Sequence, residues 1–538
     1  MFIDASRPDG AGTSNASSPG RSTGASVTGE GAGMLWSLSV SRVVIHFVSV
    51  RIECSDRRHD ARGGRRVAPS PAVFIGASPD PHRAPPCSKA ASPDLPIDRN
   101  HMKVRAITVG IPVPPGTQSR LVSRAGTIAF AIREALDRAG IESQTVRLAL
   151  PPVTDRFTNS GASIARDVLD EAAFLDESSR LSDFGHVSFG TIDTLGTPDA
   201  IWTPLLDLVP EIISTTSLIS VTATVATRKP SGLAEINIGA CRSAGSAVSR
   251  IAHGGNGGFG NFRFAALANC GPNIPFFPAA YHDGGDTPAV GIGLQCADLV
   301  VDAFTHASSL EDARSRLVGS LTEAVNKVAG IVRSALDRLG GIRFNGVDFS
   351  PAPLPGDGTS IGGAFERLGL PAFGGHGTVF VASFLTECLQ EVATTTGMTG
   401  MTPGGRTRPF AFSGLMMPVL EDSVLAHRAS SGHIGIERML LASAVCGLGL
   451  DTVPLSGDTS AGTLGAIILD MATLAVRLDK PLSARLFPVP GTCAGDAVSW
   501  DTPYFSPSVA MGTLEATATG VLGSATRHVA RLDPFRPG

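Results

Sequence analysis

The stretch MKVRAITVGIPVPPGTQSRLVSRAGTIAFAIREALDRAGIESQTVRLAL, residues 102–150, decides the fold class. Residues 102–113 alternate apolar and polar side chains as a strand does. Residues 119–139 repeat apolar groups at helical spacing and stop at Gly140, and residues 144–150 return to a strand. Strand, helix and strand in that order form the β-α-β opening of a sheet with parallel pairs.

Working outward, the alternation continues downstream. Strand-like runs fall at residues 187–192, 219–227, 234–239, 263–268, 289–294 and 378–383, and a further one ends in Asp348. Helical spacing covers residues 164–174, 243–252, 309–339, 434–446 and 464–476. Ser309 with Asp312 predicts a capped start for the longest helix, and Gly340-Gly341 closes it. No repeat of fixed period is visible. The pattern predicts an α/β fold with a large, parallel-containing sheet or barrel.

Upstream, residues 1–101 hold Ser/Gly/Ala tracts, the basic run RRHDARGGRR and a Pro-rich stretch, with no sustained period of 2 or 3.6. The expectation is a disordered or mis-called extension over 1–101 and a single large domain over 102–538. The apolar run 34–50 contains Arg42 and His46. One central Arg costs about 2.5–3.5 kcal/mol on insertion scales, which argues against a spanning helix.

Composition narrows the class. Of 538 residues, 43% are hydrophobic and 17% charged, with 62 Gly and 38 Pro. That fits a large buried core with many tight turns. The net charge is −4, with +3 on residues 1–101 and −7 on the rest. A mildly acidic body gives no electrostatic case for nucleic acid or an anionic membrane. Eight cysteines form no CxxC pair, and no signal-peptide pattern precedes them, so free thiols in a reducing cytoplasm are expected.

Several constellations carry candidate chemistry. Around LAEINIGACRSAG the chain reads strand, turn, helix, with Ser243 as the expected N-cap. That puts Cys241 and Arg242 before a positive helix end, where a carboxylate or phosphate finds free N–H groups and a guanidinium. The competing reading is an ordinary turn with a surface Arg and an inert thiol. GNGGFG at 255–260 fits G-x-G-x-x-G but follows a helix and precedes a strand, the reverse of the dinucleotide context. Tyr281-His282-Asp283 with Asp286 has metal-ligating residue types, yet one short loop seldom closes a site, and a solvated turn is the expectation.

The segment 345–378, NGVDFSPAPLPGDGTSIGGAFERLGLPAFGGHGT, sets Asp348 at a strand end and His376 between glycines. An imidazole titrating near pH 6.5 suits acid–base work, although a turn His bonded to backbone fits as well. In FSGLMMPVLED, Ser413 precedes Glu421 and Asp422, either a base or a charged helix start. Cys446 ends a helix, where partial negative charge disfavours a thiolate, so structural packing is expected. Asp451 and Asp458 are read as turn caps.

These motifs, in order, resemble the domain-of-unknown-function 711 family, also called uncharacterised protein family 0210. The matching pieces are VRAITVGI, EINIGACRSAG, the His282 loop, GVDFSPAPLPGDG, FGGHGT, SGLMMPVLED, AVCGLGLDTVPLSGDT and RLFPVPGTCAGDAV, between residues 104 and 512. The resemblance implies a fold similar to pyruvate formate-lyase, a ten-stranded α/β barrel of two parallel halves with surrounding helices. The family pattern covers Asn237, Gly239, Ser243, His282, Asp348, His376, Thr378, Ser413, Glu421, Asp422, Cys446, Asp451 and Asp458. His376, Asp348 and Glu421 are the catalytic candidates, and Asn237, Arg242, Ser243, His282, Thr378 and Ser413 the ligand-binding ones, while the resemblance itself implies no reaction. Residues 499–506, SWDTPYFS, depart from the Gly-rich run of the family pattern, as do Cys241 and Arg242.

A glycyl-radical loop needs Gly before Tyr, but Tyr281 follows Ala280 and Tyr504 follows Pro503. Radical chemistry started within this chain is therefore not expected. Two functions remain: a non-radical enzyme acting on a small carboxylate or phosphorylated metabolite, or a non-catalytic metabolite-binding barrel. The expected partner is a small molecule, not nucleic acid or membrane. A homo-oligomer stays open, the cofactor is unknown, and no metal is assigned. Arg242, Asp348, His376 and Ser413 are expected to face one cavity at a barrel mouth.

Overall fold

The computed structural model describes residues 102–112, 118–158 and 163–532. Fifteen strands run in chain order: β1 (Lys103–Gly110), β2 (Glu142–Ala149), β3 (His186–Asp193), β4 (Ile219–Arg228), β5 (Leu233–Asn237), β6 (Phe264–Ala268), β7 (Ala289–Gln295), β8 (Arg343–Asp348), β9 (Thr399–Met401), β10 (Thr407–Pro409), β11 (Gly449–Ser456), β12 (Leu482–Val489), β13 (Ala497–Val498), β14 (Ser508–Val509) and β15 (Arg527–Arg531). Eleven of them make one mixed sheet, in the order β11-β12-β6-β4-β3-β2-β1-β7-β8, with β5 attached to β4 and β15 to β5.

Five central strands (β6, β4, β3, β2 and β1) are mutually parallel. On either side the direction reverses: β7 is antiparallel to β1, and β12 to β6. Each flank then continues in parallel, as β7 with β8 and β11 with β12. Burial explains the composition of these strands. Every residue of β6, β7 and β11 is buried, as expected for strands covered on both faces. In β7 the glycines make room: a Cβ at Gly293 would lie 2.6 Å from the Phe276 ring.

The sheet is not closed between β8 and β11, where a ten-stranded barrel was expected. The segment 412–420, which is not assigned as a strand, lies there instead. Phe412 and Ser413 donate their N–H groups to Asp348 at 2.9 and 3.1 Å. Farther along, Val419 donates to the Asp451 carbonyl at 3.1 Å and Leu420 to that of Thr452 at 3.3 Å.

Helices cover the sheet because their apolar stripes need a partner. Helix Leu310–Leu339 starts as its sequence predicts, with the Ser309 hydroxyl accepting from Asp312 N at 3.1 Å, and ends at Gly340, φ 66°. Its buried face steps through Ala313, Leu317, Leu321, Val325, Val328 and Val332. Helix Ile238–His253 packs on helix Ala461–Leu478. They meet at Gly245 and Gly465, where a Cβ on Gly245 would lie 2.5 Å from Gly465 N. Helix Ala461–Leu478 is long and apolar enough to cross a membrane, and half of it is buried within the protein.

Three sequence expectations change. Residues 378–383 belong to helix Thr378–Thr396, not to a strand. Strands β11 and β12 went unpredicted, because Pro454, Asp451, Arg485 and Pro488 interrupt their apolar runs. Asp451 therefore sits inside a strand and is not a turn cap.

Candidate functional site

A cavity of about 450 Å³ is lined by residues of β1, β2 and the start of β3, by Ala352, Leu354 and Pro355 after β8, and by Asp451 and Arg485 of β11 and β12. Three arginines enter it from three strands: Arg105 from β1, Arg147 from β2 and Arg485 from β12. Each interrupts an apolar strand, where a charge persists only with partners. Arg485 finds two. Its Nε donates to Asp451 Oδ1 at 2.5 Å and its Nη2 to Glu421 Oε1 at 2.8 Å. The other Glu421 oxygen accepts from Arg105 Nη2 at 3.0 Å. Arg105 Nη1 also reaches Gln295 Oε1 at 2.9 Å and the Pro353 carbonyl at 3.1 Å.

Backbone irregularities aim two of these groups. The β1–β7 register shifts between Val104 and Ala106, so Arg105 is the extra residue of a bulge. The β11–β12 register shifts between Leu450 and Val453, around Asp451 and Thr452, and Thr452 has φ 41°. Bulges and left-handed non-Gly residues concentrate where a side chain must be re-aimed.

Arg147 differs from the other two. Its Nε donates to the Thr145 hydroxyl at 3.0 Å, and among the described residues no carboxylate pairs with it. Burial pushes its pKa down to about 10, helped by the charge of Arg105 and opposed by Glu421. It is still a cation at neutral pH. The cavity therefore holds three guanidiniums against two carboxylates. Burial raises the Glu421 carboxyl above its ordinary range, and Arg485 and Arg105 oppose that shift.

His186, the first residue of β3, lines the same cavity. Its Nε2 lies 2.8 Å from the Ser220 hydroxyl. Burial first, then the charges of Arg147, Arg263 and Arg485, hold its pKa well below 6.5. The imidazole is neutral at pH 7. Beside it runs a wall of rings: His186 and Phe277 have centroids 5.3 Å apart, and the Arg485 guanidinium lies 5.7 Å from Phe277 and 4.8 Å from Phe262.

The loop 499–506 reaches this cavity. Pro503 and Tyr504 line it, and Phe505 is anchored below among Phe259, Phe262, Phe487 and Trp500 at 5.5–5.7 Å. Ser506 N donates to the Leu420 carbonyl at 2.7 Å, tying the loop beside Glu421.

Of the residues singled out in the sequence, Glu421 and Asp451 are in this cavity. Asp348 and Ser413 do meet, but in a buried clasp outside it. Asp348 accepts from Ser350 N and Oγ, Phe412 N and Ser413 N, while Ser413 Oγ accepts from Phe349 N. Burial raises the Asp348 carboxyl. Asp422 caps helix Ser423–Ser430 and also accepts from Ser360, Ile361 and Gly362.

The remaining candidates lie elsewhere. His376 is exposed on the loop before helix Thr378–Thr396, and the Thr378 hydroxyl donates to the Gly375 carbonyl. His282 is buried in its turn, with Nε2 3.0 Å from the Thr287 carbonyl. Arg242 Nη2 donates to the Ala525 carbonyl at 2.7 Å. Ser243 is not the N-cap: the helix begins at Ile238, and the Asn237 side chain accepts from Ala240 N at 2.9 Å. Arg242 and Ser243 thus sit inside the helix, without a free helix end beside them. Cys241 is buried, and desolvation pushes its thiol up to about 12. Cys446 is buried as expected and accepts from Gly449 N at 3.3 Å. No group of three or more His, Cys, Asp or Glu side chains placed to hold a metal occurs among the described residues.

Sequence reasoning missed Arg105, Arg147, Arg485 and His186. The first three had a signal: VRAITV, TVRLAL and SARLFPV each set one Arg in an otherwise apolar strand run.

Comparisons follow the same stretch of chain. The family model described as Uncharacterised ACR (DUF711) matches residues 96–502. A UPF0210 protein of Pyrobaculum aerophilum is 30% identical over 414 residues, 73% of this chain and 87% of that one. One of Pyrobaculum arsenaticum is 35% identical over 241 residues, 44% of this chain and 51% of that protein. Among solved structures, the anaerobic ribonucleotide reductase from Thermotoga maritima with dATP bound in the specificity site aligns at TM-score 0.35 and 9% identity. That alignment covers 71% of this chain and 75% of that one.

Proposed function

We propose a function for a chain that belongs to the DUF711 family of uncharacterised proteins: it binds a small carboxylate or phosphorylated metabolite in the cavity of Arg105, Arg147 and Arg485. The observation that carries this reading is the unpaired Arg147. Arg147 is half-buried; a guanidinium drawn partly out of water without a paired carboxylate is costly, and an anionic ligand supplies the missing charge. Arg105 and Arg485, clamped by Glu421 and Asp451, form a rigid floor.

We read the surrounding sheet as a ten-stranded barrel completed by residues 414–420. Gly447 N donates to the Leu415 carbonyl, and contacts 419/451 and 420/452 continue in step, which is a parallel pairing with β11. Five parallel strands then face five running the other way, with the cavity at one mouth. The thiols and the absence of a Gly-Tyr pair fit a non-radical protein of the cytoplasm.

Catalysis is a second reading, favoured by one observation: His186 is a neutral imidazole lining the cavity that holds the anion site. In that reading the neutral His186 accepts a proton that the bound metabolite gives up, the electron pair staying on the metabolite, and Glu421 orients the two arginines. The test is a thermal-shift screen of small carboxylates and phosphorylated metabolites on the native protein and on Arg147→Met. A ligand at 100-fold its Kd stabilises by about 2.7 kcal/mol. A ligand that raises the midpoint of the native protein and leaves Arg147→Met unmoved is the expected result. Ligands that shift both proteins equally would refute the site.

A further inference from the structure

The cavity's lining divides by chemistry. Beside its charged groups, Phe262, Phe276, Phe277, Met416 and Leu448 make up much of the rest. Neutral hydrogen-bonding side chains are few: Gln144, Thr145, His186 and the rim residue Tyr504. The Thr145 hydroxyl is already committed, donating to the Arg105 carbonyl at 2.7 Å and accepting from Arg147 Nε. A sugar or polyol laid along the apolar ring wall would lose its hydroxyls' water bonds there without replacement, which costs about 1–3 kcal/mol per unsatisfied group.

Charge and shape narrow the ligand further. Three guanidiniums and two carboxylates leave one uncompensated positive charge, enough for one carboxylate. A phosphate dianion would bring a second, unpaired negative charge into a partly desolvated site. The ring wall is stepped: the Arg485 guanidinium lies 4.8 Å from the Phe262 centroid and 5.7 Å from that of Phe277, and His186 stands 5.3 Å from Phe277 with the two rings tilted by 59°. Such a surface favours a flat π-system in offset stacking over a puckered ring of equal area. Tyr504, half exposed at the mouth, adds another ring.

Resting on the anion-site reading above, we infer that the ligand is a monocarboxylate bearing a planar aromatic ring, with its carboxylate on Arg147 and its ring against Phe277. The experiment is calorimetric titration of the full chain with benzoate, cyclohexanecarboxylate, acetate and inorganic phosphate. Benzoate is expected to bind about tenfold tighter than cyclohexanecarboxylate, and tighter still than acetate or phosphate. Tyr504→Leu and Phe277→Leu, each first checked for a native melting profile, should narrow the benzoate preference and leave acetate unchanged. Arg147→Met should abolish carboxylate binding. Equal affinity for benzoate and cyclohexanecarboxylate, both lost in Arg147→Met, would overturn the aromatic class and leave the anion site standing. Phosphate binding tightest would do the same. Carboxylate binding that survives in Arg147→Met would overturn both.

Discussion

At the scale of single residues, Glu421 joins two of the cavity's arginines. Its two oxygens each accept from a different buried guanidinium. Glu421→Gln keeps the shape but strands positive charge at Arg105 and Arg485. Breaking a buried pair costs about 3–5 kcal/mol, and urea unfolding should show a loss of that order. Asp458→Asn, at an exposed position, should stay within about 0.5 kcal/mol of the native protein. His186 gives a pH signature. Its folded pKa is lowered, so the unfolded chain, titrating near 6.5, takes up the proton first as pH falls. Stability should be flat above pH 7 and decline below about 6.5, with a shallower decline in His186→Gln. An unchanged slope in that variant would place His186 outside the titration. The sequence pointed to Glu421 because an acid closes an apolar run, but it hid the arginines. Alternation alone reads a strand Arg as solvent-facing, and only the bulge at Arg105 and the cross-strand partners show otherwise.

At the scale of elements, the start of helix Ile238–His253 separates the two N-cap readings. Asn237 caps the helix and also donates from Nδ2 to the Thr194 carbonyl at 2.9 Å. Asn237→Ala should cost about 1–2 kcal/mol in a denaturation series, while Ser243→Ala, inside the helix, should be near neutral. A larger loss from Ser243→Ala would restore the later start. Propensity could not place this boundary, because Ile238 and Gly239 extend the strand pattern and the cap is visible only through its acceptor geometry. The long helix beginning after Ser309 was legible for the opposite reason, since its cap and its apolar stripe agree. Helix Thr378–Thr396 misled because Thr, Val and Phe in TVFVASF favour strands, and tertiary packing of Val381, Phe384 and Leu385 overrides that preference.

Across the whole molecule, the α/β class followed from alternation, whereas the direction reversals at β1–β7 and β6–β12 did not. Those pairings link segments far apart in the chain and leave no local signature. The sequence turns periodic at Met102, and β1, beginning at Lys103, lies within the sheet with a partner on each side. A chain starting at Met102 should therefore melt at the same midpoint as the full chain, and a drop of many degrees would show that residues 1–101 stabilise the body. The central claim is that one cavity, with Arg147 as its unmatched charge, receives the ligand. The most direct measurement is anomalous diffraction from crystals grown with 4-bromobenzoate. The account predicts a bromine peak inside the cavity beside Phe277 and Tyr504, with the carboxylate on Arg147. A bromine peak elsewhere on the protein, with this cavity empty at saturating ligand, would contradict it.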